Sequence, residues 1–588
     1  MSVKVRPFVS PSMVLLAMDW SGGSEHPDFL GFAIRRTPGF YHEPISWLPN
    51  RIGFHGPATG KDFPSNECPI QKFMWWDSRF GLEDHGDIRK ITYEVFPCTG
   101  KEKHIELNEH EKAIVNLTMP PHQDGDIGTW FNRAVVSSQA FSRKLTDMGL
   151  IHNQKPTPEQ EKELRSWLSN GLAEALEAFI LKAETDEQEL AGVIYHLTDT
   201  IWEIPAFKSA GKKIPIDLVY DAHPVVNKDK TTSPPPTQVA VDALNGLAQF
   251  HPRLKTNIMH DKFLVEGRRL NDERRAACRR MQTGSANFTS EGVSQQANVI
   301  HIFNSPDLAT IYRERYELLK DDPAKAATAQ RAGWSDEVEV GDAQVSVFFS
   351  PEPGKHRESM DTIVESIKKA TDSVLFCLFS STDAPLRDAC FELADKGKMM
   401  FGLVNNVVEK DTVKPGHEAH ADDVAGVELY HRSREKHDVI GAGYFNANDL
   451  PEGFQSENQL FPGEGKPPFP PVIIHHKFII IDGETDHSVI YSGSANLSKN
   501  STNNNDENLL EIKGSRKLAD IYVAEFFRLY EHYRARATLQ KPAAGGKTVT
   551  AKLATDRDGW AKKFYTPRTP ECKGREALLG LEVAPQHA

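Results

Sequence analysis

One stretch occurs twice in this sequence of 588 residues, and it constrains the fold more than any other feature. Residues 472–483 read V-I-I-H-H-K-F-I-I-I-D-G and are followed by G-S-A-N at 493–496. Upstream, residues 257–267 read N-I-M-H-D-K-F-L-V-E-G and are followed by G-S-A-N at 284–287. Because side chains alternate along a strand, each copy places its histidine and lysine on one face and mostly apolar residues on the other.

The same secondary-structure elements surround both copies in the same order. An amphipathic helix is predicted from Pro158 to Ala183 in the first half and from His356 to Ala370 in the second. In each half, two apolar strands, the H-x-K strand, the G-S-A-N turn and a closing helix follow. Apolar strands that alternate with helices indicate an α/β fold, so we expect a mixed, largely parallel sheet in each half, covered on both faces.

The paired motifs resemble those of the phospholipase D superfamily, whose pattern is H-x-K-x-x-x-x-D with a downstream G-S-x-N. The second copy matches throughout, with His475, Lys477, Asp482, Ser494 and Asn496. The first copy lacks the aspartate, because Gly267 stands at that position and Glu266 is one place early, on the other strand face. The first copy keeps the remaining motif residues, which are His260, Lys262, Ser285 and Asn287.

The resemblance implies duplicated phospholipase D-like halves, each an α/β-α sandwich with a mixed sheet. We expect these halves at residues 125–340 and 341–540, with a connector from Trp130 to Leu145 leading into the first. Residues 1–124 contain β-rich segments without a long helical period, which predicts an N-terminal domain resembling a β-sandwich. Residues 541–588 are predicted to form a linker and a tail that folds back on the body.

In the superfamily, two half-sites form one active site between the halves, and this site uses no metal. The resemblance therefore implies neither a metal nor another cofactor. One imidazole attacks phosphorus to form a phosphohistidine, while the other protonates the departing oxygen and later activates water. The superfamily favours the first-half histidine as nucleophile. We therefore expect His260 to attack and His475 to act as the acid, and the reverse assignment stays open.

The other motif residues are suited to holding a phosphate, because cations and hydrogen-bond donors stabilise charge on its non-bridging oxygens. The side chains expected to do this are Lys262, Lys477, Ser285, Ser494, Asn287 and Asn496. Eleven residues past each G-S-A-N asparagine stand Glu507 in the second half and Asn298 in the first. A carboxylate commonly orients a nucleophilic imidazole. In the superfamily it can come from the opposite half, so Glu507 is expected to support His260.

Two features of the motifs leave alternatives open. Asp482 either contacts the substrate or braces the turn after its strand, because aspartate is favoured where backbone amides need an acceptor. The incomplete first copy also allows a non-catalytic protein that only binds phosphorylated ligands. The survival of the histidine, lysine, serine and asparagine in that copy favours an enzyme.

The substrate class is less constrained than the chemistry. We expect a phospholipase D-like phosphodiesterase that hydrolyses phospholipid, with transfer of the phosphatidyl group to an alcohol as a further activity. A net charge of −13 disfavours indiscriminate binding to polyphosphates. The long insertion from Val408 to Pro470 is expected to be either a pocket wall or a disordered loop. A metal-independent nuclease is the alternative, and the six arginines between Gly267 and Arg280 are its best support.

The sequence also gives expectations for the location and the partners of the protein. No apolar run is long enough for a signal peptide or a membrane span, so we expect a cytoplasmic protein or one exported without an N-terminal signal peptide. The six cysteines are scattered without a C-x-x-C pair, which disfavours a zinc site or a disulfide scaffold. The expected partners are a phospholipid or other phosphodiester substrate, a peripheral membrane surface and, alternatively, nucleic acid. The chain is expected to be a monomer.

Overall fold

The computed structural model describes most of the chain. The described residues are 2–57, 62–80, 90–134, 138–150, 155–227, 229–269, 276–379, 383–405, 439–441, 474–539 and 552–581. Nearly all of the predicted insertion from Val408 to Pro470 lies outside them. None of the described helices is both long enough and apolar enough to cross a membrane.

The N-terminal region is built from antiparallel strands. They are β1 (Lys4–Ser10), β2 (Met13–Asp19), β3 (Gly31–Thr37), β4 (Ser46–Trp47), β5 (Pro49–Asn50), β6 (Ile52–Gly53), β7 (Gly56–Pro57), β8 (Phe63–Pro64), β9 (Met74–Asp77), β10 (Lys90–Lys101), β11 (His104–Leu107) and β12 (Ala113–Thr118). One sheet has the order β1-β2-β9, and the other has the order β11-β10-β3-β4 with β12 on β10. The predicted strand-rich region is therefore present.

The alternation of side chains along β2 explains how the N-terminal region is attached. Leu16 and Met18 pack in one apolar cluster with residues of β3 and β10. Leu15 and Ala17, on the other face, pack in the cluster that also contains the cores of both halves. Because both faces of β2 are buried, the small sheet forms a layer between the second N-terminal sheet and the rest of the protein.

The first half contains ten strands and seven helices among its described residues. Its strands are β13 (Gln123–Asp124), β14 (Ile127–Phe131), β15 (Glu189–Ile194), β16 (Ile216–Asp221), β17 (Val225–Val226), β18 (Thr232–Ser233), β19 (Gln249–Arg253), β20 (Lys262–Arg269), β21 (Ala276–Gly284) and β22 (Val299–Phe303). Its helices are α1 (Ser138–Asp147), α2 (Pro158–Ser169), α3 (Leu172–Thr185), α4 (Glu203–Ala210), α5 (Gln238–Ala243), α6 (Pro306–Leu319) and α7 (Lys325–Ala329).

The second half and the tail complete the described elements. The strands are β23 (Gly333–Trp334), β24 (Val338–Val340), β25 (Ala343–Ser350), β26 (Ser373–Leu378), β27 (Met399–Val404), β28 (Val439–Gly441), β29 (Lys477–Ile481), β30 (Val489–Gly493) and β31 (Glu507–Lys513). The helices are α8 (Glu358–Lys369), α9 (Ala384–Asp395), α10 (Lys499–Asn504), α11 (Arg516–Leu539), α12 (Lys562–Tyr565) and α13 (Pro570–Leu579).

The two large sheets repeat one strand order. The first is β13-β14-β22-β21-β20-β15-β16-β19, and the second is β23-β25-β31-β30-β29-β26-β27-β28 with β24 on β25. Both sheets are mixed, as predicted, but the expectation that they are largely parallel is wrong. In each described sheet only the last two pairings are parallel, for example β15–β16 and β16–β19. The motif strand instead pairs antiparallel with both of its neighbours, and its pairing with the strand that follows it in the chain is that of a β-hairpin.

Two local expectations for the first half are also wrong. The predicted helix from Pro158 to Ala183 is two helices, because Asn170 and Gly171 adopt left-handed φ values of 53° and 88° between α2 and α3. The segment from Trp130 to Leu145 is more than a connector. Trp130 lies in β14, which occupies the position in the first sheet that β25 occupies in the second.

The C-terminal tail packs on the N-terminal region. The rings of Trp560 and Phe29 have centroids 5.0 Å apart, and those of Phe564 and Phe73 are 4.7 Å apart. All four side chains belong to the apolar cluster between the N-terminal sheets. The tail and the N-terminal region, which were predicted as separate domains, thus share one apolar cluster. The predicted boundaries of the four domains stay a prediction.

Candidate active site

The chain immediately before each motif strand runs beside the opposite half. Met259 forms a parallel bridge with Asp506, and Ile474 forms one with Ala297. The backbone N–H of His260 donates to the carbonyl oxygen of Asp506 at 2.8 Å. That of His475 donates to the carbonyl oxygen of Ala297 at 3.1 Å. The two histidines therefore lie at the junction of the halves, each held by the backbone of the other half.

The opposite half also orients each imidazole. His260 Nδ1 lies 2.9 Å from Glu507 Oε2, and His475 Nδ1 lies 2.8 Å from Asn298 Oδ1. Because a carboxylate accepts hydrogen bonds only, Nδ1 of His260 carries the proton and its Nε2 presents a lone pair. Asn298 Nδ2 donates to the carbonyl oxygen of Gly292 at 2.7 Å, which turns its Oδ1 towards His475. The two halves thus offer one charged and one neutral partner.

Both motif lysines are buried beside the histidines. Lys262 Nζ donates to the carbonyl oxygen of His260 at 2.6 Å, and Lys477 Nζ donates to that of His475 at 2.7 Å. The exposed fractions are 0% for Lys262, 1% for Lys477, 7% for His260 and 6% for His475. Water therefore screens the four side chains poorly, and their charges interact strongly.

The charges of the four side chains also act on one another across the junction of the halves. Burial is the main reason that the pKa values of His475 and Lys477 lie well below their ordinary ranges, and Lys262 of the first half lowers both further. Burial lowers the pKa of Lys262 to about 7. Burial and Lys262 lower the pKa of His260 to about 4, against the opposing effect of Glu507.

Glu507 is the carboxylate in direct contact with this cationic group. Burial acts to raise its pKa, but His260, hydrogen bonds and Lys262 hold that pKa below its usual range, so the side chain stays ionised. Its Oε1 accepts hydrogen bonds from Ser501 Oγ at 2.5 Å and from Asn505 Nδ2 at 3.0 Å. Because burial lowers the pKa of both lysines, a bound phosphate-sized anion would favour their charged forms and be neutralised by them.

The asparagines and the serines of the two G-S-A-N turns differ in their hydrogen bonding. Asn287 Oδ1 and Asn496 Oδ1 are buried without a hydrogen-bond partner among the described residues, so both amides are available to a ligand. The serine hydroxyls are already engaged. Ser285 Oγ donates to Asn298 Oδ1 at 2.8 Å, and Ser494 Oγ accepts from the Asn508 backbone N–H at 3.0 Å. The serines therefore brace the strand ends behind the site, contrary to the expectation that they donate to phosphate.

Asp482 does not reach the histidines. Its carboxylate accepts from the backbone N–H groups of Thr371, Asp372 and Ser373 at 2.8 to 2.9 Å. It follows the last residue of β29, whereas Lys477 begins that strand. The structure thus decides between the two alternatives for this residue. Asp482 braces the turn before β26, and including it among the catalytic residues is wrong because its oxygens bind a turn at the far end of the strand.

Two aromatic side chains at the site were not predicted. The ring of Tyr195 has its centroid 4.9 Å from that of His260, and the ring of Phe379 lies 5.4 Å from that of His475. Lys262 Nζ lies 5.1 Å from the Tyr195 centroid, and Lys477 Nζ lies 5.4 Å from that of Phe379. The two aromatic residues directly follow β15 and β26. The repeat of an aromatic residue at the same place in both halves is the sequence feature that could have predicted them.

The described arginines among those proposed for nucleic-acid binding lie away from this site. On β20, Gly267 pairs with Cys278 near one end of the hairpin, whereas Phe263 pairs with Thr283 near the catalytic end. Arg280 is buried, where it forms an ion pair with Glu266 and stacks on Phe179. About 3.3 Å per residue places Gly267 roughly 20 Å along the strand from His260. The arginine segment 270–275 lies outside the described residues.

Comparison with known proteins now identifies the fold family. Residues 363–530 match the family model described as "Cardiolipin synthase, PLD-like domain". This segment contains His475, Lys477, Asn496 and Glu507. The first half, whose sheet has the same strand order, has His260, Lys262, Asn287 and, in place of the glutamate, Asn298. The chain therefore contains a phospholipase D-like domain of the phospholipase D superfamily. Its coarse function is the phosphodiesterase-type chemistry of that superfamily.

Solved structures similar to this phospholipase D-like chain are distant. Phosphatidylserine synthase from Haemophilus influenzae Rd KW20 has 12% identity, covers 69% of this chain and 92% of its own, and gives a TM-score of 0.40. NucT from Helicobacter pylori has 18% identity, covers 32% of this chain and 97% of its own, and gives a TM-score of 0.22. Yeast tyrosyl-DNA phosphodiesterase has 11% identity, covers 56% of this chain and 84% of its own, and gives a TM-score of 0.30. Curated protein sequences give no match.

Proposed function

We propose that this phospholipase D-like protein hydrolyses the phosphodiester of a phospholipid through a covalent phosphohistidine. The observation that carries the proposal is the arrangement of His260 and His475. They come from opposite halves, each is bonded by the backbone and a side chain of the other half, and each has its motif lysine buried beside it. Such a group binds a phosphodiester anion, and it supplies a nucleophile, an acid and charge stabilisation together.

His260 is the proposed nucleophile because its partner is charged. Nε2 of His260 attacks phosphorus, a P–N bond forms, and the P–O bond to the leaving group breaks. The imidazole gains positive charge in this step, and the Glu507 carboxylate at Nδ1 stabilises it. A neutral amide supports His475, so its imidazolium is stabilised less and gives up its proton more readily.

His475 completes the cycle as acid and then as base. Its Nε2–H gives a proton to the departing oxygen in the first step. In the second step a water oxygen attacks phosphorus, the water proton returns to His475, and the P–N bond breaks. The free pKa of His475 is well below 6.5, so the bound phosphodiester anion must raise that pKa before the imidazole can act as acid. An alcohol in place of water gives the transfer reaction.

Two observations favour lipid over nucleic acid as the substrate. The matching family model is described as a cardiolipin synthase domain. The arginine hairpin, which was the best support for a nuclease, extends away from the histidines, and Arg280 is engaged with Glu266. A protein with a net charge of −13 also lacks the general positive potential that increases non-specific binding to polyphosphates.

The test incubates the purified full chain, with EDTA present, with phosphatidylcholine vesicles and separately with single- and double-stranded DNA. Release of choline without DNA cleavage, and its loss in both His260→Ala and His475→Ala, is the expected result. Adding a primary alcohol should yield the corresponding phosphatidyl alcohol. DNA cleavage without choline release would replace the proposal with the nuclease alternative. Phosphate-ligand binding without turnover of either substrate would replace it with a non-catalytic role.

A further inference from the structure

One connection in the first half is fixed to the catalytic site at both ends. It runs from residue 222 to residue 243 and contains β17, β18 and α5. At its start, Asp221 Oδ1 accepts a hydrogen bond from the backbone N–H of Met259, the residue before His260, at 3.3 Å. Towards its end, Thr237 Oγ1 donates to the carbonyl oxygen of Tyr195 at 3.5 Å and accepts from the N–H of Leu197 at 3.2 Å. Because the Tyr195 ring contacts His260, the connection borders the site.

This connection carries exposed aliphatic side chains. Val225, Val226, Val239 and the nearby Leu254 have exposed fractions of 43%, 70%, 45% and 48%. His223 connects the Val225 and Leu254 positions, because it lies two residues before Val225 and its Nε2 lies 3.1 Å from the carbonyl oxygen of Leu254. We call these four residues the aliphatic rim. The other exposed large hydrophobic residues of the described chain, Tyr41, Ile45 and Ile114, belong to the N-terminal region.

The chemistry of the aliphatic rim fits a lipid surface better than a nucleic acid. Base stacking needs aromatic or guanidinium surfaces, and tracking phosphates needs a row of cations. Among the described residues 222–255, the exposed charges are two acids and two bases, which are Asp229, Asp242, Lys230 and Lys255. Arg253 is buried in ion pairs with Asp322 and Asp506. The sequence adds one further base, Lys228, so the net charge of the stretch stays small. Aliphatic side chains with little net charge are suited to the interface of a zwitterionic bilayer.

We propose that the aliphatic rim docks this protein on a zwitterionic phospholipid bilayer, next to the site that receives the headgroup phosphodiester. The inference rests on the proposed lipid substrate and assigns the residues that reach the membrane. A phosphodiester at a bilayer surface is accessible only to a site whose border reaches that surface. The rim borders the first-half side of the site, where its valines can enter the headgroup region.

The test measures sedimentation of the full-length protein with phosphatidylcholine vesicles. Val225→Ser with Val226→Ser should weaken vesicle binding about tenfold, because two exposed apolar side chains are lost. Val226→Trp should strengthen binding several-fold, since tryptophan favours the membrane interface. Ile114→Ser, with an exposed isoleucine of the N-terminal region, is the matched control and should bind as the unmodified protein does. Cleavage of soluble bis(4-nitrophenyl) phosphate should stay within about twofold in all three variants.

Binding and turnover separate this inference from the proposed function. If the protein does not bind the vesicles, or if both rim variants bind as the control does, the aliphatic rim is not the docking surface. Vesicle binding that follows the rim variants, without choline release by the unmodified protein, would keep the docking surface and refute the proposed substrate. Equal choline release by all variants would support the proposed lipid substrate and refute the aliphatic rim as the docking surface.

Discussion

Replacing Glu507 with glutamine tests whether the unequal partners of the two histidines decide their roles. The carboxylate accepts hydrogen bonds on both oxygens. Oε2 receives them from His260 and from the Asn496 N–H, and Oε1 from Ser501 and Asn505. Glutamine has one acceptor oxygen, so in either orientation of the amide its NH₂ group faces another donor. The variant therefore loses both the charge and one set of contacts.

The expected magnitude follows from the contact that is lost. A hydrogen bond to a charged group contributes about 1.5–3 kcal/mol, roughly twice the value for a neutral pair. The positive charge that develops on His260 during attack depends on this contact. Losing about 2–3 kcal/mol of transition-state stabilisation lowers kcat/KM about 30- to 150-fold. Ser501→Ala, which removes a neutral donor from the same carboxylate, should cost less than tenfold.

The assay is acid quenching of single-turnover reactions, followed by mass spectrometry of the phosphorylated peptide. The unmodified protein should carry the phosphatidyl group on His260, and Glu507→Gln should form this intermediate more slowly. A loss of activity below threefold in Glu507→Gln would refute the reasoning. Phosphorylation of His475 in the unmodified protein would refute it as well, because the histidine with the neutral partner would then be the nucleophile.

Three further predictions concern charge and stability. In kcat/KM, which reports the free protein, activity should fall below about pH 4 as His260 gains a proton and should decline with rising pH as His475 loses its own. The decline should steepen above about pH 7 as Lys262 is deprotonated, and a pH–rate profile checks each limb. Lys262→Met should abolish activity yet stabilise the ligand-free protein by about 1–3 kcal/mol at pH 6 in urea unfolding. This gain should shrink at pH 9, because native Lys262 is then neutral while the unfolded lysine keeps its proton up to about 10.5. Asp482→Ala should lower the free energy of unfolding by about 2–4 kcal/mol, because three backbone amides lose their acceptor. The folded variant should keep its kcat within about twofold. A variant that loses activity but keeps its stability would contradict this.

The sequence predicted the parts of the site that depend on local pattern. Strand alternation placed each His with its Lys, and the count of eleven residues found both Glu507 and Asn298. The contact between Glu507 and His260 was expected from the resemblance, whereas the contact between Asn298 and His475 was not. Such contacts arise from packing between halves more than 170 residues apart, and no local pattern encodes them.

The errors have physical causes that can be named. Apolar strands between helices indicated parallel pairing, but that pattern does not show that β20 and β21 form a hairpin. The periodicity of 158–183 continued through Asn170 and Gly171, so only their left-handed conformation separates α2 from α3. For Asp482, the motif carried no information about whether an aspartate serves the substrate or a turn. The serines were assigned to phosphate as hydroxyl donors of the motif, and the sequence did not show that Asn298 and Asn508 would occupy those hydroxyls.

The exchange of partners across the junction has a consequence for how such a site can change. In a symmetric dimer of identical chains, every residue that orients one histidine must orient the other in the same way. Joining both copies in one polypeptide removes that requirement. Asn298 and Glu507 can then differ, and a single chain can give one imidazole a charged neighbour and the other a neutral one. Cutting the chain between the halves would leave two fragments that each lack the residue orienting their own histidine.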